Sequence, residues 1–125
     1  MIYGIGIDMV EVSRIQRALE RWGDRFLKRV FTQVEIEYCQ HKVREASRFA
    51  LRFAAKEAFS KALGLGFSNG LTFRQIEVVR NQDGPPQLTL YRRAQELCQR
   101  HGVKSSFLSL ADEGKYAIAV VVLEA

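Results

Sequence analysis

The stretch from about Arg44 to Leu63, REASRFALRFAAKEAFSKAL, holds neither proline nor glycine and ends against Gly64. It reads as one long central helix with a glycine C-cap, because a residue without Cβ takes the left-handed conformation there without strain. At about 100° per residue, Ala46, Ala50, Phe53, Ala54, Lys61 and Gly64 fall within roughly 60° of Glu57. A carboxylate in the middle of that small, apolar stripe has to be paired, hydrogen-bonded or bound to a cation, since an isolated buried charge costs several kcal/mol or shifts its pKa instead. The competing reading is a Glu57 to Lys61 pair at i,i+4 on a partly exposed face, worth only ~0.3 to 0.5 kcal/mol.

Shorter elements surround this helix. Between Ile2 and Ile7, Ile5 and Ile7 alternate with Gly4 and Gly6, which reads as a strand where another backbone comes close, ended by Asp8. Ser13 with Gln16 forms a capping-box pattern that opens a helix to about Trp22. Gly23 and Asp24 interrupt it before a shorter turn around Phe26 to Val30, and a second box, Thr32 with Glu35, opens a helix to about His41. Beyond Gly64, LTFRQIEVVRN reads as a strand, NQDGPP as a turn and QLTL as a short partner strand, followed by a helix from about Tyr91 to Arg100 that Gly102 closes. SSFLSLA and YAIAVVVLE, joined by DEGK, read as a hairpin whose last strand is apolar on both faces and therefore central. The class is α+β, a small antiparallel sheet with a long central helix. With 47% apolar residues, and no repeat, linker or low-complexity tract, residues 1–125 read as a single domain with a real but modest core.

A net charge of +5 and a pI of 9.5 attract phosphates, nucleic acid, anionic lipid or an acidic protein without choosing among them. Cys39 and Cys98 have no metal-ligand spacing to each other or to His41 and His101, so they read as reduced thiols of a cytoplasmic protein. The start, MIYGIGIDMVEV, lacks a basic leader and a continuous apolar stretch, and no segment approaches the ~20 apolar residues of a membrane span. A cytoplasmic location is expected. A chain this small that must enclose a large ligand often completes its cleft with another copy of itself.

Asp8 follows GIGI, where glycines let a phosphate or metal approach the backbone, although an aspartate after a strand also serves as a turn former or helix cap. Two carboxylates from distant parts of the chain, with few other candidate ligands, suit magnesium, which prefers oxygen and shares substrate phosphates. Arg14, Arg17, Arg21, Arg25 and Lys28 are spaced 3, 4, 4 and 3 apart, one basic face within roughly 80° if the helix continued through Gly23 and Asp24. Such a face is either simply solvated or meets an anionic partner, an acidic helix being a good fit. The turn around Gly84 and Pro86 is a hairpin connection in the first instance. No serine, Ser109 included, has a histidine and an acid arranged for a nucleophilic triad.

GIGIDMVEVSRI, RFAAKEAFSKALG and a glycine-proline turn after the next strand, in that order and over nearly the whole chain, resemble the bacterial holo-acyl-carrier-protein synthase family. The resemblance implies a 4′-phosphopantetheinyl transferase-like fold and the transfer of phosphopantetheine from coenzyme A to a serine of apo acyl carrier protein, releasing 3′,5′-ADP for fatty-acid biosynthesis. It implies that Asp8 and Glu57 hold Mg2+ against the coenzyme A pyrophosphate and that Lys61 contacts the phosphates and assists the departing 3′,5′-ADP. Lys61, Arg52, Ser60, Gly84, Pro86 and Ser109 form the implied coenzyme A-binding set, and Arg14, Arg21 and Arg25 the implied contact for an acidic carrier protein. The family is trimeric with clefts between subunits, and it implies neither a nucleic-acid nor a membrane partner. Two positions depart from its pattern: Pro85 stands where a lysine or arginine is usual, and Asp112 stands where a histidine is common, so no histidine role passes to it.

Two other readings stay open on the residues alone. A small basic nucleic-acid-binding module would account for the arginine face but leaves Glu57 unexplained, and it would bind oligonucleotide with steep salt dependence. A non-catalytic coenzyme A-binding protein would bind the ligand with magnesium yet never release 3′,5′-ADP.

Overall fold

The computed structural model describes residues 1–81 and 83–125. In chain order its elements are β1 (Ile2–Glu11), α1 (Val12–Trp22), α2 (Asp24–Val30), α3 (Gln33–Cys39), α4 (Glu45–Leu63), a 3-10 turn over Phe73–Gln75, β2 (Ile76–Val79), β3 (Gln87–Leu90), α5 (Arg92–Arg100), β4 (Ser105–Asp112) and β5 (Tyr116–Glu124). The strands form two antiparallel sheets, one in the order β1-β5-β4 and one pairing β2 with β3. As the sequence predicts, the fold is α+β and β5 is central.

The glycines of β1 bring the long helix onto the sheet. A Cβ built on Gly4 would stand 2.0 Å from the Ala62 carbonyl oxygen, and one on Gly6 would stand 1.9 Å from that of Ala58. No side chain fits at either position, so only glycine lets the two backbones touch. The facing surface of α4 is correspondingly small, with Ala54, Ala55, Ala58 and Ala62 all buried against the inner face of β5, where Ala117, Ala119, Val121 and Leu123 are also buried. Phe31, Phe49 and Phe59, each with 0% exposure, fill the remaining core, and each contributes about 1.5–3 kcal/mol by burial. Gly64, at φ 86°, ends α4 by accepting the left-handed turn that its N–H bonds to Ser60 and Lys61 require.

Several local expectations shift. Asp8 lies within β1, which runs on to Glu11 because its ladder with β5 continues to the Glu11–Tyr116 pair. The capping box expected at Ser13 does not form: α1 begins at Val12, whose N–H is taken by the Lys115 carbonyl at 2.8 Å, and Ser13 donates to the Glu11 carboxylate instead. The box at Thr32 and Glu35 does form, although α3 stops at Cys39, two residues early. The strand expected over 71–81 shortens to β2, preceded by the 3-10 turn. No helix among the described residues is long and apolar enough to cross a membrane.

Candidate active site

Alternation along β1 decides where Asp8 points. Gly4, Gly6 and Asp8 share one face of the strand, and the glycines on that face lie against α4, so Asp8 faces the same helix one step farther along. Glu57 and Lys61 occupy adjoining turns of α4. The Lys61 ammonium donates to Asp8 Oδ1 at 2.9 Å and to the Ile7 carbonyl at 3.1 Å. The i,i+4 pair between Glu57 and Lys61 is therefore not what forms, because the lysine reaches across to the strand instead.

Glu57 is left half-buried with no hydrogen bond or ion pair to its carboxylate among the described residues. Burial is the main cause that raises its pKa, and the Asp8 charge raises it further, against partial relief from Lys61 and Arg14. Two carboxylates thus share one lysine. A divalent cation suits this donor set, since it would offset the repulsion that a single ammonium leaves. Among the described residues no group of three or more His, Cys, Asp and Glu side chains comes together. A two-carboxylate site suits a cation such as magnesium, which keeps waters and binds substrate phosphates, better than zinc.

Of the implied carrier-protein arginines, Arg14 stands close enough to Glu57 for its charge to act on that carboxylate. Arg14 on α1 is exposed, with its guanidinium 5.8 Å from the Phe53 ring. Gly23 breaks the helix, as expected, yet Arg21 and Arg25 still meet on the Trp22 ring, at 4.8 and 5.6 Å from its centroid. The indole is itself 46% exposed, so the basic groove has an apolar centre.

The other implied coenzyme A contacts do not gather at Asp8 in one copy of the chain. Ser60 is buried, and its hydroxyl donates to the Glu57 carbonyl at 2.7 Å. Arg52 is about 140° around α4 from Glu57 and lies on the Tyr38 ring of α3. Ser109 pairs with Val120, which pairs with Ile7 on the other side, so it belongs to the outer face of the sheet, opposite Asp8. Pro86 lines a cleft with Gln87, Leu88, Ser106 and Phe107, and Gly84 lies two residues before it in the same turn. Asp112 is paired with Arg44 at 2.8 Å.

Sequence reasoning missed a buried polar network beside the site. Lys56, with 0% exposure, donates to Glu35 Oε1 at 2.8 Å, to the Phe73 carbonyl at 3.1 Å and to the Ile76 carbonyl. Glu35 also accepts from the N–H groups of Thr32 and Val78, while Glu77 accepts from the hydroxyls of Thr32 and Tyr91. A readable signal existed in Phe49, Phe53, Phe59 and Ser60, which surround Lys56 at helical spacing.

Residues 4–121 match the model of the 4′-phosphopantetheinyl transferase superfamily. A holo-acyl-carrier-protein synthase of Geobacter sp. strain M21 is 49% identical over 124 residues, covering 99% of each chain. The crystal structure of the synthase from Neisseria meningitidis superposes with a TM-score of 0.92 at 34% identity over 100% of both chains. That from Helicobacter pylori, solved with coenzyme A, does so with a TM-score of 0.84 at 35% identity over 96% of this chain and 99% of that one. With a family match over nearly its full length, close relatives of equal span and the same fold, this chain belongs to the 4′-phosphopantetheinyl transferase superfamily, among its holo-acyl-carrier-protein synthases.

Proposed function

We propose that this chain transfers 4′-phosphopantetheine from coenzyme A to a serine hydroxyl of an apo acyl carrier protein. The serine oxygen bonds to the β-phosphorus, the bond from that phosphorus to the bridging oxygen breaks, and 3′,5′-ADP leaves. The observation that carries the reading is the meeting of Asp8, Glu57 and Lys61, two carboxylates against one ammonium. Asp8 and Glu57 would hold Mg2+, which when bound supplies Lewis-acid polarisation of the phosphoryl group and neutralises charge on the diphosphate. Lys61, 53% exposed at its side chain, would turn its remaining donor toward the departing phosphate. Positioning and electrostatics account for most of the catalysis in such transfers.

An acidic carrier protein suits the groove of Arg14, Arg21 and Arg25 on charge grounds, with Trp22 giving an apolar contact between charged ones. A cytoplasmic setting accords with the two buried free thiols, Cys39 and Cys98.

The cleft is shared between copies in a trimer. What supports this is the outer face of the three-stranded sheet, where Ile5, Ile7, Met9 and Phe107 are each more than half exposed, at 60%, 59%, 60% and 56%. Apolar side chains gathered on one uncovered face mark an association surface. It also accounts for the division of the implied coenzyme A contacts, since Gly84, Pro86 and Ser109 of one copy would complete the cleft at Asp8 and Glu57 of the next. Replacing Ile7→Lys is expected to give a folded monomer by sedimentation with transfer reduced at least a hundredfold. A monomer of full activity would rule out the shared cleft.

Intact mass spectrometry of an apo carrier protein incubated with the enzyme, coenzyme A and Mg2+ tests the reaction. One phosphopantetheine adds ~340 Da, the mass of the group transferred, and the gain is expected to vanish with Asp8→Ala and Glu57→Ala. No gain from the wild-type protein with several carrier proteins would overturn the transferase reading. A gain that both variants keep would leave the activity and remove the metal site.

A further inference from the structure

Alternation along β2 sends Glu77 away from the core. Ile76 and Val78 turn to one face of the strand and are 0% and 2% exposed, so Glu77 belongs to the other face, where a two-stranded ribbon meets water. It is nevertheless only 5% exposed, because Thr32 and Tyr91 cover it. The Thr32 hydroxyl donates to Oε2 at 2.6 Å and the Tyr91 hydroxyl to Oε1 at 2.8 Å. Two neutral hydroxyls solvate the charge without cancelling it. The buried ammonium of Lys56 pairs with Glu35, and among the described residues no cation stands within ion-pair distance of Glu77. A carboxylate accepts at about four positions, so Glu77 keeps acceptor capacity and a charge without a counterion.

Glu77 forms the floor of a cleft. The cleft, of about 710 Å³, opens between the starts of α3 and α5 and the 3-10 turn, and its walls include Thr32, Val34, Arg74, Tyr91 and Arg92. That size falls within the ~300–1,000 Å³ of small-molecule sites. None of these residues belongs to the sets implied for coenzyme A, magnesium or the carrier protein. Arg74 and Arg92 are exposed, and neither has an ion-pair partner among the described residues. Val34 and Tyr91 are 53% and 42% exposed, so the wall also carries apolar surface. A simple cation is repelled by the rim and a simple anion by the floor, whereas a molecule with both charges is attracted by both.

We propose that this cleft binds a small zwitterion, an apolar α-amino acid, with its ammonium on Glu77, its carboxylate on Arg74 and Arg92, and its side chain along Val34 and Tyr91. An ammonium against a buried carboxylate makes a charge-assisted hydrogen bond, and a guanidinium takes a carboxylate by two parallel ones. The inference does not depend on the transferase reading, since no residue of that site takes part.

The test is an amide NMR titration of the wild-type protein with L-phenylalanine. Its single-charge analogues are 3-phenylpropanoate, which lacks the ammonium, and 2-phenylethylamine, which lacks the carboxylate. Phenylalanine is expected to bind about tenfold or more tightly than either, with the shifts centred on Val34, Glu77 and Arg92. Glycine, with no side chain to lay along Val34 and Tyr91, should bind more weakly than phenylalanine. Glu77→Gln is expected to bring the preference over 3-phenylpropanoate toward one and to keep the preference over 2-phenylethylamine. The double variant Arg74→Ala with Arg92→Ala should do the reverse. Circular dichroism checks the fold of each, and if the buried Glu77→Gln disturbs it, the arginine variant, confined to exposed residues, decides the outcome alone. A wild-type protein without shifts at millimolar phenylalanine, or one that binds 3-phenylpropanoate as tightly, as a plain anion site would, overturns the proposal. So does an arginine variant that keeps the full preference over 2-phenylethylamine.

Discussion

Lys56 and Glu57 are neighbours in the sequence and opposites in circumstance. Lys56 is fully buried, and its ammonium has three acceptors, one of them a carboxylate that is itself held by two backbone N–H groups. Glu57 is half-buried, and among the described residues nothing donates to its carboxylate, while a second carboxylate, Asp8, stands close enough to raise its pKa. One helix therefore carries a closed charge network that joins α3, α4 and β2, and, one residue on, an open cluster with one lysine between two acids. A charge that holds a fold is satisfied by the fold. A charge that the fold does not satisfy is left with capacity to spare, and the deficit at Glu57 is one of positive charge.

The comparison breaks most visibly at Lys56. Burial pushes its pKa down while Glu35 holds the charged form in place. Lys56→Met leaves Glu35, also at 0% exposure, as an uncompensated buried charge, and removing one partner of such a pair costs about 3–5 kcal/mol. Urea unfolding followed by circular dichroism should register that loss. The double variant Glu35→Gln with Lys56→Met should recover much of it, because two neutral groups need less from each other than one stranded ion. A single variant that loses less than about 1 kcal/mol would mean that the network is not closed as described, and the contrast with Glu57 would have no basis.

The two clusters were not equally legible. Asp8 and Glu57 were found because each is an anomaly in a regular pattern: a carboxylate on a glycine strand and a carboxylate in an alanine stripe. The long helix and the close approach at Gly4 and Gly6 were readable for the same reason, since periodicity and small size are local properties. Long-range bonds were not. The Thr32 box was visible, but nothing local says that Glu35 also receives Lys56, 21 residues away. That ammonium takes the Phe73 and Ile76 carbonyls, and the backbone there turns in a 3-10 bend instead of continuing the strand that its β-branched and aromatic residues favour. Likewise Ser13 lost its cap to a bond from Val12 to Lys115, across the chain.

At Glu57 the same comparison predicts a smaller effect of the opposite sign. Because its folded-state pKa lies above the ordinary carboxylate value, there is a pH window in which the unfolded chain has lost the proton and the folded chain still holds it. Across that window stability falls as pH rises, and above it the ionised, repelled carboxylate is a net cost to the fold. Glu57→Gln should therefore leave stability unchanged at acid pH and raise it at neutral pH, by no more than a few tenths of a kcal/mol, roughly, since the group is partly exposed and solvent screens the repulsion. Thermal unfolding of both proteins across the acid-to-neutral range, without metal, reads this directly. Added Mg2+ should then stabilise the wild-type protein and not the variant, because only a ligand of the folded state shifts the equilibrium. A variant that is less stable at neutral pH would mean that the Glu57 carboxylate already has a partner in the fold, and the deficit that distinguishes it from Lys56 would be gone.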